Sequence, residues 1–486
     1  MVACNRRTPG PAAERGGPPG AGRRRVLRFL FFAPAGVQPG SAGNRPAGGE
    51  VRPARRLPVP RGRLPLRDRP KERCHVEHFE PSRRFGRLPR QLFAALIAAT
   101  EARRAAGHDV INLGQGNPVD PTPEHIVRAM QEAVANPVYQ RYIPFDGLPA
   151  FKEAAARWWG RRYGVDVDPA TEVAVMIGVK VGLVEMSLLV ANPGDKVAVP
   201  DPGYPDYWSG IALAGAELVP IPLRPERDYY PDWDALPRDV KLVFLNYPHN
   251  PTGQVATPAV FEQAVAYARR TGAVLVHDLA YGDIMFDGRP SLSFLATPGA
   301  KDVGLEFVSL SKSYNMAGWR IGMAAGNREV IHALEVLQDH LHCSQFGAIQ
   351  IASIAALDSP PEVTERVART YQERRDVFIG ALDAVGWHIP PAAGGIFLWC
   401  PVPGGGDGEA FANFLLERAD VVTAPGRGFG EEGRRFIRVA LTQPTDRIAE
   451  AARRIARVLP EWLDLVARDP RAMMPKDVPA HSTSAR

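Results

Sequence analysis

The stretch S-L-S-K-S-Y-N-M-A-G-W-R-I-G, residues 309–322, places a lysine between two serines, with an arginine eight residues further on. The run L-E-F-V-S-L at 305–310 has the apolar, β-branched and aromatic character of a buried strand, so Lys312 falls just past a predicted strand end. A lone lysine is most often a solvated surface charge. In open α/β sheets, however, ligands bind at the carboxyl ends of the strands, and the position of Lys312 therefore predicts a ligand site.

Polar or glycine-rich residues follow three other strand-like runs in the same way. A glycine turn that leads into a helix is typical of an anion site, because the free N–H groups and the helix dipole point at the ligand. Each feature alone also has a structural explanation, such as a turn or a helix cap. Together with Lys312 they predict one functional site at the edge of a sheet. The three features are Gly178–Lys180 after 173–177, Y-P-H-N-P-T-G at 247–253 after 241–246, and Asp278 with Tyr281 at the end of 273–278.

Strand-like and helical runs alternate along most of the chain, and we find no internal repeat. This alternation predicts an α/β fold with a mostly parallel sheet and helices on both faces. Two later runs, 397–401 and 435–441, follow a long helical pattern near 361–386 and predict a smaller C-terminal α+β domain. The remaining predicted strand is 196–200, and helices are predicted at 92–105, 181–192, 257–271 and 327–342.

Length and composition predict a soluble globular protein. A chain of 486 residues that is 45% hydrophobic is long enough for two domains. Its longest apolar runs are too short or too interrupted to span a bilayer, so we predict no contact with a membrane. The four cysteines (Cys4, Cys74, Cys343 and Cys400) form no CxxC pair, which argues against a bound metal and favours a reducing cytoplasm.

The basic charge of the chain lies in its first 75 residues. The net charge is +6, but residues 1–75 carry 17 Lys and Arg against 4 Asp and Glu, a net +13, which leaves −7 for the rest. This Arg-, Pro- and Gly-rich segment has no sustained period, and we interpret it as disordered and dispensable. It lacks the aromatic spacing or helical face of a nucleic-acid arm, so no nucleic-acid partner is predicted. Arg28 interrupts its apolar run, which disfavours a signal peptide.

The motif at 309–322 resembles the lysine signature of the fold type I pyridoxal 5'-phosphate (PLP) enzymes, specifically the class I/II aminotransferases. N-P-T-G at 250–253 and D-L-A-Y at 278–281 follow the order of that family. The resemblance covers roughly residues 79–465. It implies an N-terminal segment at 76–118 that contributes to the small domain and to an active-site loop, followed by a large PLP-binding domain at 119–345. It also implies a C-terminal small domain at 346–465, with a flexible tail at 466–486.

The resemblance assigns a role to each residue of the site. Lys312 would bind the cofactor covalently and then move a proton at the substrate Cα. Asp278 would hold the proton of the ring nitrogen, and Asn250 and Tyr281 would donate to the phenolic oxygen. The phosphate would be held by Ser309, Ser311, Arg320, the Lys180 ammonium and the backbone N–H of Val179, where many relatives carry a hydroxyl residue.

Aromatic residues and an arginine complete the implied site. Tyr204 matches the position that stacks on the cofactor ring, and Tyr142 matches a tyrosine that reaches the phosphate of the neighbouring subunit, which implies a homodimer with shared sites. Arg438 matches the arginine that binds the substrate α-carboxylate. Gly116 and Asn117 belong to the loop that closes over the same group.

Several stretches, among them F-L-N-Y-P-H-N-P-T-G at 244–253, are most similar to the methionine-salvage aminotransferases. That similarity implies transfer of an amino group between an amino acid and a 2-oxo acid by a ping-pong mechanism, with methionine, 4-methylthio-2-oxobutanoate and glutamine as substrates. We identify no second arginine for a distal carboxylate, which favours a neutral or thioether side chain. The alternatives are an LL-diaminopimelate or alanine aminotransferase, a PLP lyase or synthase, and an aminotransferase-like transcription regulator.

Overall fold

The computed structural model describes residues 79–89 and 92–469. The extension predicted at 1–75 lies outside the described residues, as does the tail predicted at 466–486 except for its first four residues. The strands are β1 Ile111–Asn112, β2 Val173–Met176, β3 Lys196–Asp201, β4 Glu217–Pro222, β5 Val240–Asn246, β6 Val274–Leu279, β7 Gly304–Ser309, β8 Gly322–Gly326, β9 Phe397–Pro401, β10 Val421–Val422, β11 Ala424–Pro425 and β12 Phe436–Ala440. The helices are α1 Leu92–Ala105, α2 Glu124–Ala135, α3 Pro149–Tyr163, α4 Val179–Val190, α5 Asp206–Ala214, α6 Pro258–Thr271, α7 Ala300–Val303, α8 Leu310–Ser313, α9 Arg328–Leu341, α10 Gly347–Leu357, α11 Glu362–Asp383, α12 Gly408–Ala419 and α13 Thr445–Arg468.

The largest sheet has seven strands in the order β2-β8-β7-β6-β5-β3-β4. All of its strands are parallel except β8, which is antiparallel to both β2 and β7. The mostly parallel sheet predicted from the alternation is therefore confirmed. The sequence did not predict β8, because G-M-A-A-G lacks β-branched residues, nor β4, whose E-L-V-P-I-P contains two prolines.

Helices cover both faces of this sheet, because successive strand side chains point to opposite faces and both sets are apolar. On β6, Leu275 and Leu279 belong to the buried cluster that includes Phe261 of α6. Val276 belongs to the opposite cluster with Leu183 of α4. Full burial of such a side chain stabilises the fold by about 1.5–3 kcal/mol.

A second core lies among the C-terminal elements. Strands β11, β12 and β9 form a three-stranded antiparallel sheet, and β1 pairs in parallel with β10. Ile111 of β1 is buried in the same cluster as Leu398 of β9, Ile437 of β12 and Trp462 of α13. The segment before residue 118 therefore packs on elements more than 270 residues later in the chain.

The topology brings the carboxyl ends of six strands to one edge of the large sheet. Strands β3, β4, β5, β6 and β7 are parallel, and β2 runs in the same direction because β2 and β7 are both antiparallel to β8. Their carboxyl ends therefore lie together, and β8 begins at the same edge. The polar residues predicted to form a site lie at the ends of these strands or just past them, and Arg320 lies two residues before β8.

Candidate active site

Lys312 lies in the single turn of α8 that begins where β7 ends. The Ser309 side chain caps this turn by accepting a hydrogen bond from the backbone N of Ser311 at 3.2 Å. The Lys312 Nζ donates to the carbonyl oxygen of Gly116 at 2.5 Å. Burial, with the positive charges of Arg438 and Arg320, lowers the pKa of Lys312 to about 8 from its ordinary 10.5. A neutral, nucleophilic amine is therefore accessible near physiological pH.

Asp278 presents a buried carboxylate oxygen to the site. The Tyr207 hydroxyl donates to its Oδ2 at 3.1 Å, whereas no donor among the described residues reaches Oδ1. Burial raises the pKa of Asp278 to about 6. A buried carboxylate oxygen that lacks a donor is destabilising, so the geometry calls for a donor from a bound molecule.

An asparagine at the end of β5 ties the turn at 247–253 to the end of β6. The Asn246 Nδ2 donates to the backbone oxygen of Asp278 at 2.6 Å, while its Oδ1 accepts from the backbone N of Asn250 at 2.8 Å. The Asn250 side chain also hydrogen bonds with Tyr281, and burial is the main cause that raises the pKa of Tyr281 above its ordinary value. Asn250, Asp278 and Tyr281 are thus held together, as the sequence predicted.

Arg438 reaches the same place from β12. It is 1% exposed, and it donates to Asn250 Oδ1 at 3.0 Å and to the carbonyl oxygen of Gly114 at 2.8 Å. Its guanidinium carbon lies 4.0 Å from the ring centroid of Phe397 and 4.5 Å from that of Phe429. Burial lowers the pKa of Arg438 to about 9, so the group stays charged at neutral pH. A fixed, buried guanidinium suits bidentate binding of a carboxylate.

The N-terminus of α4 and Arg320 form a cradle with the charge and free N–H groups that suit an anion. Gly178 precedes α4 with φ 75°, in the left-handed region that favours glycine. A Cβ at this position would lie 2.5 Å from Arg320 Nη2, so only glycine lets the guanidinium pack against the helix start. Arg320 is itself held by Gln345, whose Nε2 donates to its backbone oxygen at 2.5 Å. The first N–H groups of α4, beginning at Val179, complete the cradle.

The remaining predicted residues have fewer contacts with the groups described above. Ser309 and Ser311 are buried beside Lys312, and Tyr204 packs edge-on against Tyr207 with ring centroids 5.9 Å apart. The half-exposed side chain of Lys180 pairs with Asp206 at 3.0 Å. Asn117 is exposed, and the Tyr142 side chain is 84% exposed.

Two residues of the site were missed by sequence reasoning. Tyr207 lies three residues after Tyr204 in the same motif, D-P-G-Y-P-D-Y, and its spacing on the first turn of α5 could have indicated it. Asn246 is the last residue of β5, and its amide at the end of the apolar run V-K-L-V-F-L-N is the same strand-end signal that indicated Asp278. Within the described ranges, no group of three or more His, Cys, Asp or Glu residues is placed to hold a metal ion.

These residues fit pyridoxal phosphate. Asp278 Oδ1, which lacks a donor, could accept a hydrogen bond from the ring N–H. The cradle of Gly178 and Arg320 suits the phosphate, and the Lys312 amine can react with the aldehyde. When bound, the cofactor supplies that aldehyde and an electron-withdrawing ring that stabilises negative charge at the substrate Cα. Fold and site together define a PLP-dependent enzyme of fold type I.

The chain belongs to the family of class I and II aminotransferases. The family's sequence profile, "Aminotransferase class I and II", matches residues 108–455. The chain is 49% identical to the L-glutamine–4-(methylsulfanyl)-2-oxobutanoate aminotransferase of Bacillus subtilis, over 78% of this chain and 96% of that protein. It is 44% identical to the LL-diaminopimelate aminotransferase of Moorella thermoacetica, over 78% and 98%. Substrate-bound BacF from B. subtilis aligns with a TM-score of 0.75 and 42% identity, over 78% and 98%. The protein is therefore a transaminase, and the predicted enzyme class, fold and cofactor are confirmed.

The lowered pKa of Lys312 predicts how cofactor loading depends on pH. Only the neutral amine attacks an aldehyde, so the rate of covalent loading of the cofactor-free protein should rise roughly tenfold per pH unit and level off above about pH 8. Stopped-flow absorbance between pH 6 and 10 measures this rate. Replacing Arg438 with Gln removes one of the charges that lower the pKa, so the midpoint should move to higher pH. A midpoint near 10.5 in the unaltered protein would contradict the assignment.

Proposed function

We propose that the enzyme transfers an amino group from glutamine to 4-methylthio-2-oxobutanoate, forming methionine. This proposal rests on the 49% identity to the B. subtilis L-glutamine–4-(methylsulfanyl)-2-oxobutanoate aminotransferase across 96% of that protein's length. LL-diaminopimelate is the second candidate, because relatives with that activity are 44% identical over a similar span. We identify no second arginine in the sequence for a distal carboxylate, and this favours a neutral substrate side chain.

In this proposal, the chain's own groups divide the work of both half-reactions. Arg438, with the loop through Gly116 and Asn117, binds the α-carboxylate, and the Lys312 amine moves a proton to and from the substrate Cα. Asp278 would keep the ring nitrogen protonated, and Asn250 and Tyr281 would orient the phenolic oxygen. Tyr204 would stack on the ring. The phosphate would be held by Ser309, Ser311, Arg320, Lys180 and the Val179 N–H.

Isotope transfer tests the substrate directly. Protein loaded with cofactor is supplied with glutamine labelled with nitrogen-15 at the α-amino group and with 4-methylthio-2-oxobutanoate, and labelled methionine is detected by mass spectrometry. We expect labelled methionine at a rate at least tenfold above that of amino transfer from LL-diaminopimelate or alanine to 2-oxoglutarate. The reverse ranking would replace the substrate, and release of ammonia or an eliminated fragment without a new amino acid would indicate a lyase.

Replacement of Arg438 with Ala should weaken binding of substrate or transition state by about 2–5 kcal/mol, because a buried charged contact is lost. Steady-state kcat/KM for methionine measures the loss, and Arg438→Lys should recover part of it by restoring the charge. The affinity for PLP should stay within about threefold of the unaltered protein. A variant that binds substrate normally but loses the cofactor would refute this role for Arg438.

We also propose that the protein is a homodimer with shared active sites, since Tyr142 is exposed and packs edge-on against the exposed Phe145, with ring centroids 6.3 Å apart. Monomers should be inactive, because the tyrosine reaches the phosphate of the other subunit. Light scattering coupled to gel filtration measures the mass. Mixing Tyr142→Ala with Lys312→Ala subunits should restore activity by creating one intact site per hybrid dimer. An active monomer, or failure of the mixture to recover, would contradict this arrangement.

Localisation and domain organisation are further parts of the proposal. Cys343 is an exposed free thiol and Cys400 a buried one, which suits a reducing cytoplasm. No helix in the described part of the chain has both the length and the apolar character needed to cross a membrane.

We propose the division into 76–118, 119–345 and 346–465 given above, with 1–75 dispensable. A protein beginning near residue 76 should keep full activity, and an insoluble or inactive product would contradict that division.

A further inference from the structure

The carboxylate of Asp201, at the end of β3, reaches the loop between β11 and β12, residues 426–435. Its Oδ2 accepts a hydrogen bond from the backbone N of Glu431 at 3.2 Å, and its Oδ1 accepts from that of Glu432 at 3.1 Å. Two residues further on, the backbone N of Gly203 donates to the carbonyl oxygen of Phe429 at 2.7 Å. Three hydrogen bonds thus fasten the β11–β12 loop to the segment that leads to Tyr204.

The sequence of the β11–β12 loop is adapted to this carboxylate. Gly430 has φ 135°, and a Cβ at this position would lie 1.9 Å from Asp201 Oδ1. Glycine is therefore required for the two backbone amides to reach the carboxylate. Glu432 pairs with Arg224 outside the loop at 2.6 Å, and Glu431 pairs with Arg434 within the loop. The two hydrogen bonds that Asp201 accepts come from the backbone of the loop.

The loop held in this way supplies one wall of the carboxylate site. Phe429 is fully buried, and its ring lies on the Arg438 guanidinium, whose carbon is 4.5 Å from the ring centroid. Phe397 packs on the same guanidinium at 4.0 Å, and Trp399 meets the Phe429 ring edge-on at 5.9 Å. Asn250 and Gly114 accept hydrogen bonds from the same guanidinium, so a shift of the loop would remove the Phe429 contact and loosen the guanidinium without releasing it.

We propose that Asp201 is a positioning residue for the substrate-carboxylate site, acting through the β11–β12 loop and Phe429 to fix the Arg438 guanidinium. The inference rests on the proposed role of Arg438. It assigns Asp201 an effect on carboxylate binding and none on the cofactor, although Asp201 is only three residues from Tyr204. Asparagine cannot replace it, because one oxygen becomes an amide donor that faces a backbone donor.

The test compares Asp201→Asn with Glu432→Gln, a matched control that keeps the backbone amide and removes only the Arg224 pair. We expect Asp201→Asn to raise the KM for methionine on the order of tenfold, with kcat and the PLP dissociation constant within about twofold of the unaltered protein. Glu432→Gln should leave all three unchanged. Gly430→Ala should reproduce the KM effect with Asp201 intact, which guards against misfolding of the asparagine variant. An unchanged KM in both Asp201→Asn and Gly430→Ala would overturn the proposal. So would a fall in PLP affinity as large as the rise in KM.

Binding of 4-methylthiobutanoate, which has a carboxylate but no amino group, separates this inference from the proposed function. Isothermal titration of the cofactor-loaded protein should show its dissociation constant rising on the order of tenfold in Asp201→Asn. Hydrogen exchange at Glu431 and Glu432 should speed up in the same variant. If the unaltered protein bound the acid without transaminating methionine, the proposed function would fail while the role of Asp201 stood. Equal affinity in the two proteins would overturn that role.

Discussion

Replacement of Lys312 with arginine is expected to lower the rate of amino transfer about 10⁴-fold or more. Arginine keeps the positive charge and much of the length, but it does not lose a proton at any accessible pH. The variant therefore has neither an amine to bind the cofactor aldehyde nor a base to move the Cα proton. Stopped-flow conversion of the cofactor on mixing with methionine measures the loss.

Lys241→Arg is the matched control for Lys312→Arg. Lys241 is exposed near the start of β5, at the opposite edge of the sheet from the site, and its replacement should leave the rate unchanged. Lys312→Ala with added ethylamine offers a second check, because a small amine that enters the vacated space can carry the proton. If Lys312→Arg kept more than one per cent of the rate, Lys312 would not be the base.

Replacement of Asp278 with asparagine should produce the second large effect. The variant keeps the shape and can still accept from Tyr207, but Oδ1 no longer offers a negative charge to the protonated ring nitrogen. Loss of one partner of a buried ion pair costs about 3–5 kcal/mol, or roughly 10²–10⁴-fold in kcat. Both kcat and the PLP dissociation constant, measured by fluorescence quenching, should change.

Tyr207→Phe is the control for the Asp278 effect. It removes the donor to Oδ2 and leaves the carboxylate in place, so the expected loss is only about 1.5–3 kcal/mol, the contribution of a hydrogen bond to a charged group. Because the pKa of Asp278 is raised to about 6 by burial, cofactor affinity in the unaltered protein should fall as pH drops below 6 and the carboxylate takes up a proton. An affinity unaffected by Asp278→Asn would exclude the proposed pairing with the ring.

The sequence placed the candidate residues at one sheet edge because strand ends can be predicted from local patterns. Asn250 and Lys312 follow apolar runs that form β5 and β7, and Asp278 lies at the end of the run that forms β6, each within one residue of its predicted bounds. Parallel pairing then brings such residues to one edge without further information. Arg438 was found only through the resemblance, because nothing in its local sequence points to a site 188 residues away at Asn250.

Contacts that depend on long-range register were not predictable. The antiparallel strand β8 consists mainly of small residues with weak strand propensity, yet its position brings Arg320 to the edge of the sheet where the site lies. Whether Tyr204 or Tyr207 faces Asp278 depends on how α5 packs, and the preference of Lys180 for Asp206 depends on side-chain direction. The contacts of Asp201 with residues 431 and 432 join segments 230 residues apart, and only the three-dimensional fold reveals them.

Single-turnover absorbance tests the central claim most directly. The cofactor-loaded protein is mixed in turn with methionine, glutamine, alanine and LL-diaminopimelate at equal concentration, and the conversion of the bound cofactor from its aldehyde form to its amine form is followed. We expect fast conversion with methionine and glutamine and conversion at least tenfold slower with the other two. Fast conversion with LL-diaminopimelate or alanine alone, or none with any of the four, would contradict the proposed function.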